Sequence, residues 1–273
     1  MKRNVIILIS VILAVLLVLF FVFSLSGKKV SSGLKESSDV PSVSELFDIA
    51  GLAQNKGDLL QAKEAYQRII SIASDNKIIT KAGEELYDLN IRIIFSTLQT
   101  EKTIIYEVKP GDVLSKIAKK FNTTVALIKR SNNLKSNVIR PEQRLRIWTE
   151  KFSCIVDKSQ NTLTLKSDDE VVKVYTVSTG KHNSTPVGIF TITSKLIDPV
   201  WYKQGAIVLP DSPENILGSR WLGFSIAGYG IHGTTEPETI GQQITAGCVR
   251  MVNQQVEELF DLLPLGTEVT VID

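Results

Sequence analysis

The chain has 273 residues, too long for one average domain and suited to two or three small ones. Its 31 Lys and Arg nearly balance 29 Asp and Glu, a net charge of +2, and that balance gives no sign of a nucleic-acid partner, which normally shows as a concentrated basic face. Two cysteines are too few for a disulfide scaffold; two histidines, with no Cys/His cluster at zinc spacing, offer no metal site, and no cofactor is implied.

Residues 5–23, VIILISVILAVLLVLFFVF, carry no charge and one weakly polar side chain, Ser10. As a helix rising about 1.5 Å per residue the segment spans roughly 28 Å, close to a bilayer core of about 30 Å. Lys2 and Arg3 precede it and Lys28 and Lys29 follow it, so flanking charge alone does not orient it. A first hydrophobic segment usually enters export with its short basic end inside. Residues 1–26 are therefore expected to be a cytoplasmic tip and a single-pass transmembrane anchor, with 27–273 outside. A cleaved signal peptide normally has a shorter apolar region, of about 7–15 residues, although Ser24 and Ser26 leave a small-residue site before Gly27.

Residues 27–44, GKKVSSGLKESSDVPSVS, read as a flexible tether. A helical segment is expected over 45–100. Leu46, Ile49, Ala50 and Ala53 fall at helix spacing, Gly57 and Asp58 break the run, and Leu59, Ala62, Tyr66, Ile69 and Ile70 resume it. A third helix is expected at about 79–98. Ala50 and Ala62 on either side of the Gly-Asp turn resemble one TPR-like (tetratricopeptide-type) hairpin. One such unit cannot form a solenoid. A spacer or a platform for a protein partner fits the pattern, and so does a plain small all-α bundle.

Residues 104–149 begin with a short alternating strand and a Pro-Gly-Asp turn. Asp112 is expected to cap a helix over 113–120, with Leu114, Ile117, Ala118 and Phe121 on its inner face. Thr123 or Thr124 would cap a second helix carrying Leu127 and Ile128, Asn132 and Asn133 would end it, and QRLRIW would return as a strand. The order is β-α-α-β. The pattern Tyr-x-Val-x-x-Gly-Asp-x-Leu-x-x-Ile-Ala-x-x-Phe, with Asn132–Asn133 and a final Gln-x-Leu, resembles a LysM domain. It departs at Val113, where the family usually has Thr or Ser, and at Glu142, where it usually has Gly. The resemblance implies a groove for N-acetylglucosamine-containing glycans formed by Gly111, Asp112, Val113 and Leu114, facing Val138 and Ile139, with one sugar hydrogen bond lost at Val113.

Residues 151–273 change character. FSCIVDKSQNTLTLKSDDEVVKVYTVSTG alternates β-branched and polar residues around a turn at 157–161, and later short strands are punctuated by Gly and Pro. A mainly-β domain, sandwich or barrel-like, is expected, with one amphipathic helix in NQQVEELFDLL, where Val256, Leu259, Phe260 and Leu263 share a face, and a closing strand in GTEVTVID. Cys154 in a strand pattern reads as a core residue. Cys248 stands in TAGCVR, and His232 in GYGIHGT. A nucleophilic cysteine needs a nearby base and oxyanion donors. His232 can take the thiol proton, Arg250 adds positive charge, and Gly233 and Gly247 let the backbone approach a substrate. Composition alone leaves Cys248 open between nucleophile and buried filler.

The blocks STGKHNSTPVGIF, PENILGSRWLGF, IHGT and TAGCVRMVN, in that order, resemble the L,D-transpeptidase catalytic domain (YkuD-type). That family has His-Gly-Thr followed some sixteen residues later by Ser/Thr-x-Gly-Cys-(Val/Ile)-Arg-Met; here His232 and Cys248 are sixteen apart. Ala246 stands where many members have His or Lys. The resemblance implies that Cys248 is the nucleophile and His232 the base. It also implies that the Gly233 carbonyl orients the imidazole, that Arg250 holds the loop or a substrate carboxylate, and that Thr245 supports the Cys loop. The implied reaction joins peptidoglycan stem peptides through a cysteine acyl-enzyme with loss of D-alanine; hydrolysis by water, or wall binding without catalysis, are the rival readings. Residues 197–212, with Trp201 and Tyr202, read either as a lid or as core. The implied partner is peptidoglycan, from a bacterial cytoplasmic membrane anchor facing the wall.

Overall fold

The computed structural model describes residues 41–203 and 205–273. The expected anchor and most of the tether lie outside the described residues, and among those described no helix is long and apolar enough to cross a membrane. Residues 41–273 form one compact unit.

Three helices open it. Ser42 and Glu45 form a reciprocal capping box at the start of α1 (Val43–Lys56), and Gly57, at φ 78°, ends it in the left-handed conformation. Asp58 caps α2 (Leu59–Ile72) through Gln61 N–H, and Asp75 caps α3 (Asn76–Phe95) through Lys77 N–H. The third helix thus starts and stops three residues before the expected 79–98, at its capping aspartate. Ala50, Ala53, Ala62, Ala65 and Ala82 are buried between the helices, so the backbones approach closely around Leu46, Tyr66, Ile69 and Leu89.

Next come β1 (Thr103–Glu107), α4 (Leu114–Lys120), α5 (Val125–Arg130) and β2 (Arg144–Trp148), with β1 and β2 antiparallel over a core of Val108, Leu114, Ile117, Ala118, Ile128, Leu145 and Ile147. Thr124 caps α5 as expected, accepting from Leu127 N–H at 2.9 Å. Asp112 does not cap α4. Its carboxylate accepts from Lys109 N–H at 2.9 Å and from the Tyr106 hydroxyl at 2.8 Å, which closes the Pro-Gly-Asp turn; the helix cap is Val113, with no side-chain hydrogen bond.

The remaining elements are β3 (Phe152–Asp157), β4 (Thr162–Ser167), β5 (Glu170–Thr176), β6 (Thr179–Gly180), β7 (Gly188–Ile197), β8 (Trp201–Lys203), β9 (Ala206–Val208), β10 (Arg220–Phe224), β11 (Gly230–His232), β12 (Gln243–Thr245), β13 (Val249–Arg250), α6 (Asn253–Leu262) and β14 (Glu268–Ile272). Eight strands form one sheet in the order β13-β11-β10-β7-β14-β3-β4-β5. The long strand β7 joins its halves: residues 188–191 pair with β14 and residues 192–197 with β10. Cys154 is buried beneath this sheet, and burial pushes its thiol up to about 12, as a core cysteine requires.

The three lobes share packing. Ile91 and Ile94 of α3, Leu127 of α5 and Trp148 of β2 belong to the same apolar core as Phe152, Leu163, Tyr175 and Leu259. Arg146, 2% exposed, reaches from β2 to the last turn of α3 and the segment just after it, donating to the carbonyls of Ile94 at 2.8 Å, Leu98 at 2.6 Å and Ile93 at 3.2 Å. Asn90 of α3 donates to Val172 O on edge strand β5, and Glu170 at the start of β5 accepts from Lys63 and Lys102. Arg130 of α5 pairs with Asp261 of α6 at 2.9 Å.

Candidate active site

The pleat of three neighbouring strands builds the site. Leu222, Ile231 and Val249 lie opposite one another on β10, β11 and β13 and are fully buried on the α6 side. Side chains alternate along a strand, so the adjacent row, Leu196, Trp221, His232 and Arg250, lies on the other face. Cys248 immediately precedes β13 and falls on this same face, two residues before Arg250. Two segments remote from each other in sequence are thereby brought together by parallel pairing of β11 with β13.

His232 is 3% exposed, stacked against the Trp221 ring at 6.0 Å between centroids. Its Nδ1 lies 2.6 Å from Gly233 O, and since a carbonyl only accepts, Nδ1 carries the proton and Nε2 is left as acceptor. Burial pushes the imidazole down to about 4, against the hydrogen bond to Gly233 and with the help of the Arg250 charge. Burial likewise raises the Cys248 thiol above its ordinary value, opposed by a hydrogen bond from the Gly230 backbone and by Arg250. The resting pair is therefore a neutral thiol and a neutral imidazole. Cys248 Sγ also lies 3.5 Å from Gly228 O, a hydrogen-bond acceptor for the thiol.

Thr245 Oγ1 donates to Cys248 O at 2.6 Å and accepts from Gly247 N–H at 3.1 Å, which closes the loop around the cysteine. Gly247 sits at φ 135°, and a Cβ there would lie 2.6 Å from the Tyr229 ring. A Cβ on Gly233 would lie 2.2 Å from Asn253 Oδ1. These two glycines thus serve close packing within the chain. The Gly247 N–H is held by Thr245, and the Gly233 N–H donates to Arg220 O. Arg250 is 5% exposed and donates to Glu236 Oε2 and Thr239 Oγ1, each at 2.9 Å; it holds the 236–239 turn against β13.

A cleft of about 310 Å³ opens beside Cys248, lined by Leu196, Val200, Trp201, Tyr202, Leu217 and Trp221 among others. The β8–β9 hairpin supplies Trp201, which is half-buried, and Tyr202, which is 76% exposed and thus not core, while Val208 of the same hairpin is buried. Sequence reading missed Asn253. Its Oδ1 accepts from Ser219 N–H at 3.2 Å and Thr234 N–H at 3.0 Å, tying together the segments that lead into β10 and out of β11.

Comparison with known proteins places these features. The family model described as the L,D-transpeptidase catalytic domain matches residues 151–271, and that of the LysM domain matches 106–148. A Bacillus subtilis (strain 168) protein named putative L,D-transpeptidase YqjB is 42% identical over 125 residues, covering 44% of this chain and 70% of that protein. The putative L,D-transpeptidase YkuD of Bacillus licheniformis is 33% identical over 176 residues, 62% of this chain and 98% of that protein. The chain belongs to the L,D-transpeptidase family. Among solved structures, the NMR structure of the catalytic domain from E. faecium L,D-transpeptidase aligns over 45% of this chain and 98% of that one, with 25% identity and a TM-score of 0.38.

In the LysM module the candidate glycan residues are not equivalent. Gly111, at φ 84°, and Val113 are exposed, and Val138 is 75% exposed on an open depression with Arg140 and Glu142. Ile139 is half-buried on the module's core. Leu114 is 2% exposed and points into that core, so only its backbone can meet a ligand, and the Asp112 carboxylate is engaged by Lys109 and Tyr106. Glu142, in the position where Gly was expected, has φ 69°. The left-handed backbone explains the family's usual glycine, and here a glutamate bears the strain.

Proposed function

We propose that this transpeptidase acts on peptidoglycan stem tetrapeptides through a Cys248 thioester. What supports the reading most is the shared face of Cys248 and His232, with the imidazole tautomer set by Gly233 O, beside an open cleft. Nε2 of His232 takes the Cys248 proton as Sγ attacks the carbonyl of the third residue, a diamino acid. The carbon–nitrogen bond to the terminal D-alanine breaks, and the imidazolium returns the proton to the leaving amine. The side-chain amine of a neighbouring stem then attacks the thioester, regenerating the thiol and leaving a 3→3 cross-link. A neutral resting pair suits this order, because the proton moves only as the nucleophile attacks. Arg250 and Thr245 position the loop, and the LysM module holds the glycan strand. The hydrophobic segment at residues 5–23 supports a single-pass membrane anchor with the enzyme on the wall side.

The test uses the full chain, kept soluble in non-ionic detergent, and a Cys248→Ala variant. Each is incubated with disaccharide-tetrapeptide, and products are identified by mass. Cross-linked dimers with free D-alanine, both absent with the variant, are expected. Tripeptide without dimers would make the enzyme a carboxypeptidase. No Cys248-dependent product, together with no carbapenem adduct on the cysteine, would refute an acyl-enzyme and leave a wall-binding scaffold.

A further inference from the structure

The near-neutral total conceals a strong local imbalance. Residues 106–148 hold ten Lys and Arg against three Asp and Glu, a net charge of +7, so the rest of the chain is net negative at −5. Of the ten cations only Arg146 is buried. Among the nine others only Arg130 is in an ion pair among the described residues, with Asp261. Lys119, Lys120, Lys129 and Arg130 occupy the last turns of α4 and α5, where a cation offsets the helix end. Lys109, Lys116, Lys135, Arg140 and Arg144 have no such local reason. They are exposed on turns, on the start of β2 and on the outer face of α4, where Lys116, Lys119 and Lys120 share one side at i, i+3 and i+4.

The opposing charges are few. Asp112 lies near Lys109 and Lys120 and is tied to the turn, Glu107 and Glu142 are exposed, and Asp261 is matched by Arg130. Lys129, Arg130, Lys135, Asn133 and Asp261 line an open depression of about 500 Å³ between α5 and α6, together with Phe95, over which the Arg130 guanidinium lies. Lys129 and Lys135 at the depression, and Lys116, Lys119 and Lys120 on α4, have no acidic ion-pair partner among the described residues, and such cations are complementary to a polyanion.

We propose that the basic surface of the LysM module, the α4 lysines and those at the α5–α6 depression, binds a flexible linear polyanion with one phosphate per repeat, a phosphodiester-linked polyol or sugar chain, in addition to neutral glycan. Six of the ten cations are lysines, compact charges on long stems, which suit successive single phosphates on a chain of adjustable shape better than a fixed fork does. Nucleic acid fits less well. Tyr106 and Phe121 pack edge to face with each other at 5.3 Å and Trp148 is buried, so the module presents no stacking platform for bases, and helices of seven and six residues are too short to read a groove. The proposal is independent of the chemistry at Cys248.

The test measures binding of the full chain, in non-ionic detergent, to immobilised poly(glycerol phosphate). Four phosphate contacts at the slope typical of a single strand give roughly a fiftyfold loss of affinity between about 50 and 200 mM salt. K116E/K119E/K120E and K129E/K135E are each expected to weaken binding at least about tenfold. The neutral K116Q/K119Q/K120Q, which spares the helix ends from added negative charge, should weaken it less, with melting temperature and binding to phosphate-free sacculi unchanged. Affinity that ignores both salt and these substitutions overturns the surface. Tighter binding to single-stranded DNA, poly(glutamate) or anionic lipid vesicles than to the polyol phosphate overturns the partner class.

Discussion

Burying a neutral imidazole has a measurable consequence for stability. An unfolded histidine takes a proton near 6.5, whereas His232 takes one only at about 4. Between those values the unfolded chain binds the proton and the folded chain does not, so stability is lost as pH falls, at about 1.4 kcal/mol per pH unit. From pH 6.5 to 5 the loss is about 2 kcal/mol. It reaches about 3 kcal/mol near pH 4 and then levels off, because both states are protonated. His232→Gln removes this titration while keeping a neutral side chain of similar reach. Urea unfolding followed by tryptophan fluorescence at pH 7, 6, 5 and 4.5, for both proteins, isolates the effect, since every other group cancels in the difference. The stability gap between wild type and variant should shift by about 2 kcal/mol toward the variant by pH 5. Profiles parallel to within about 0.5 kcal/mol would refute a buried imidazole whose protonation the fold holds down.

Asn253→Ala leaves the Ser219 and Thr234 N–H groups without their acceptor and should cost about 2 kcal/mol in urea unfolding, with a fall in the Cys248 alkylation rate as the His232 loop loosens. Arg146→Met uncaps two carbonyls in the last turn of α3 and one just beyond it and should destabilise by about 3 kcal/mol; limited proteolysis between the helical lobe and the LysM module reads out the separation. Glu142→Gly relieves a left-handed glutamate and should stabilise by about 0.5–1 kcal/mol, the gain being reduced by glycine's greater freedom when unfolded; a lowered melting temperature would refute the strain.

The candidate catalytic residues were legible through a family resemblance because its signals are short. His-Gly-Thr and Thr-Ala-Gly-Cys-Val-Arg-Met are contiguous blocks, and the roles expected of His232 and Cys248 came with that resemblance, since the residues alone left Cys248 open between nucleophile and buried filler. What brings them together was not legible: β11 and β13 are three and two residues long, too short for alternation to register, and their pairing is parallel. Asn253 escaped notice because an amide that accepts from two distant backbone groups leaves no spacing in the sequence. Asp112 misled for a local reason. A carboxylate after Pro-Gly can cap the next helix or turn back onto the preceding strand, and the added Tyr106 hydroxyl decides for the turn.

The lobe contacts show a limit of pattern reading. In QRLRIW the alternation assigns Arg146 to the outer face of a strand, yet the outer face of β2 is covered by α3, and the arginine is buried as a helix cap. Alternation reports which residues share a face, not whether a second lobe covers it. Charge counting failed in a related way. A net of +2 is the sum of a basic module, at +7 over residues 106–148, and an acidic remainder, at −5. Electrostatic attraction falls off over about 8–10 Å at ordinary salt, so a ligand responds to the charge of the module it touches and not to that of the chain.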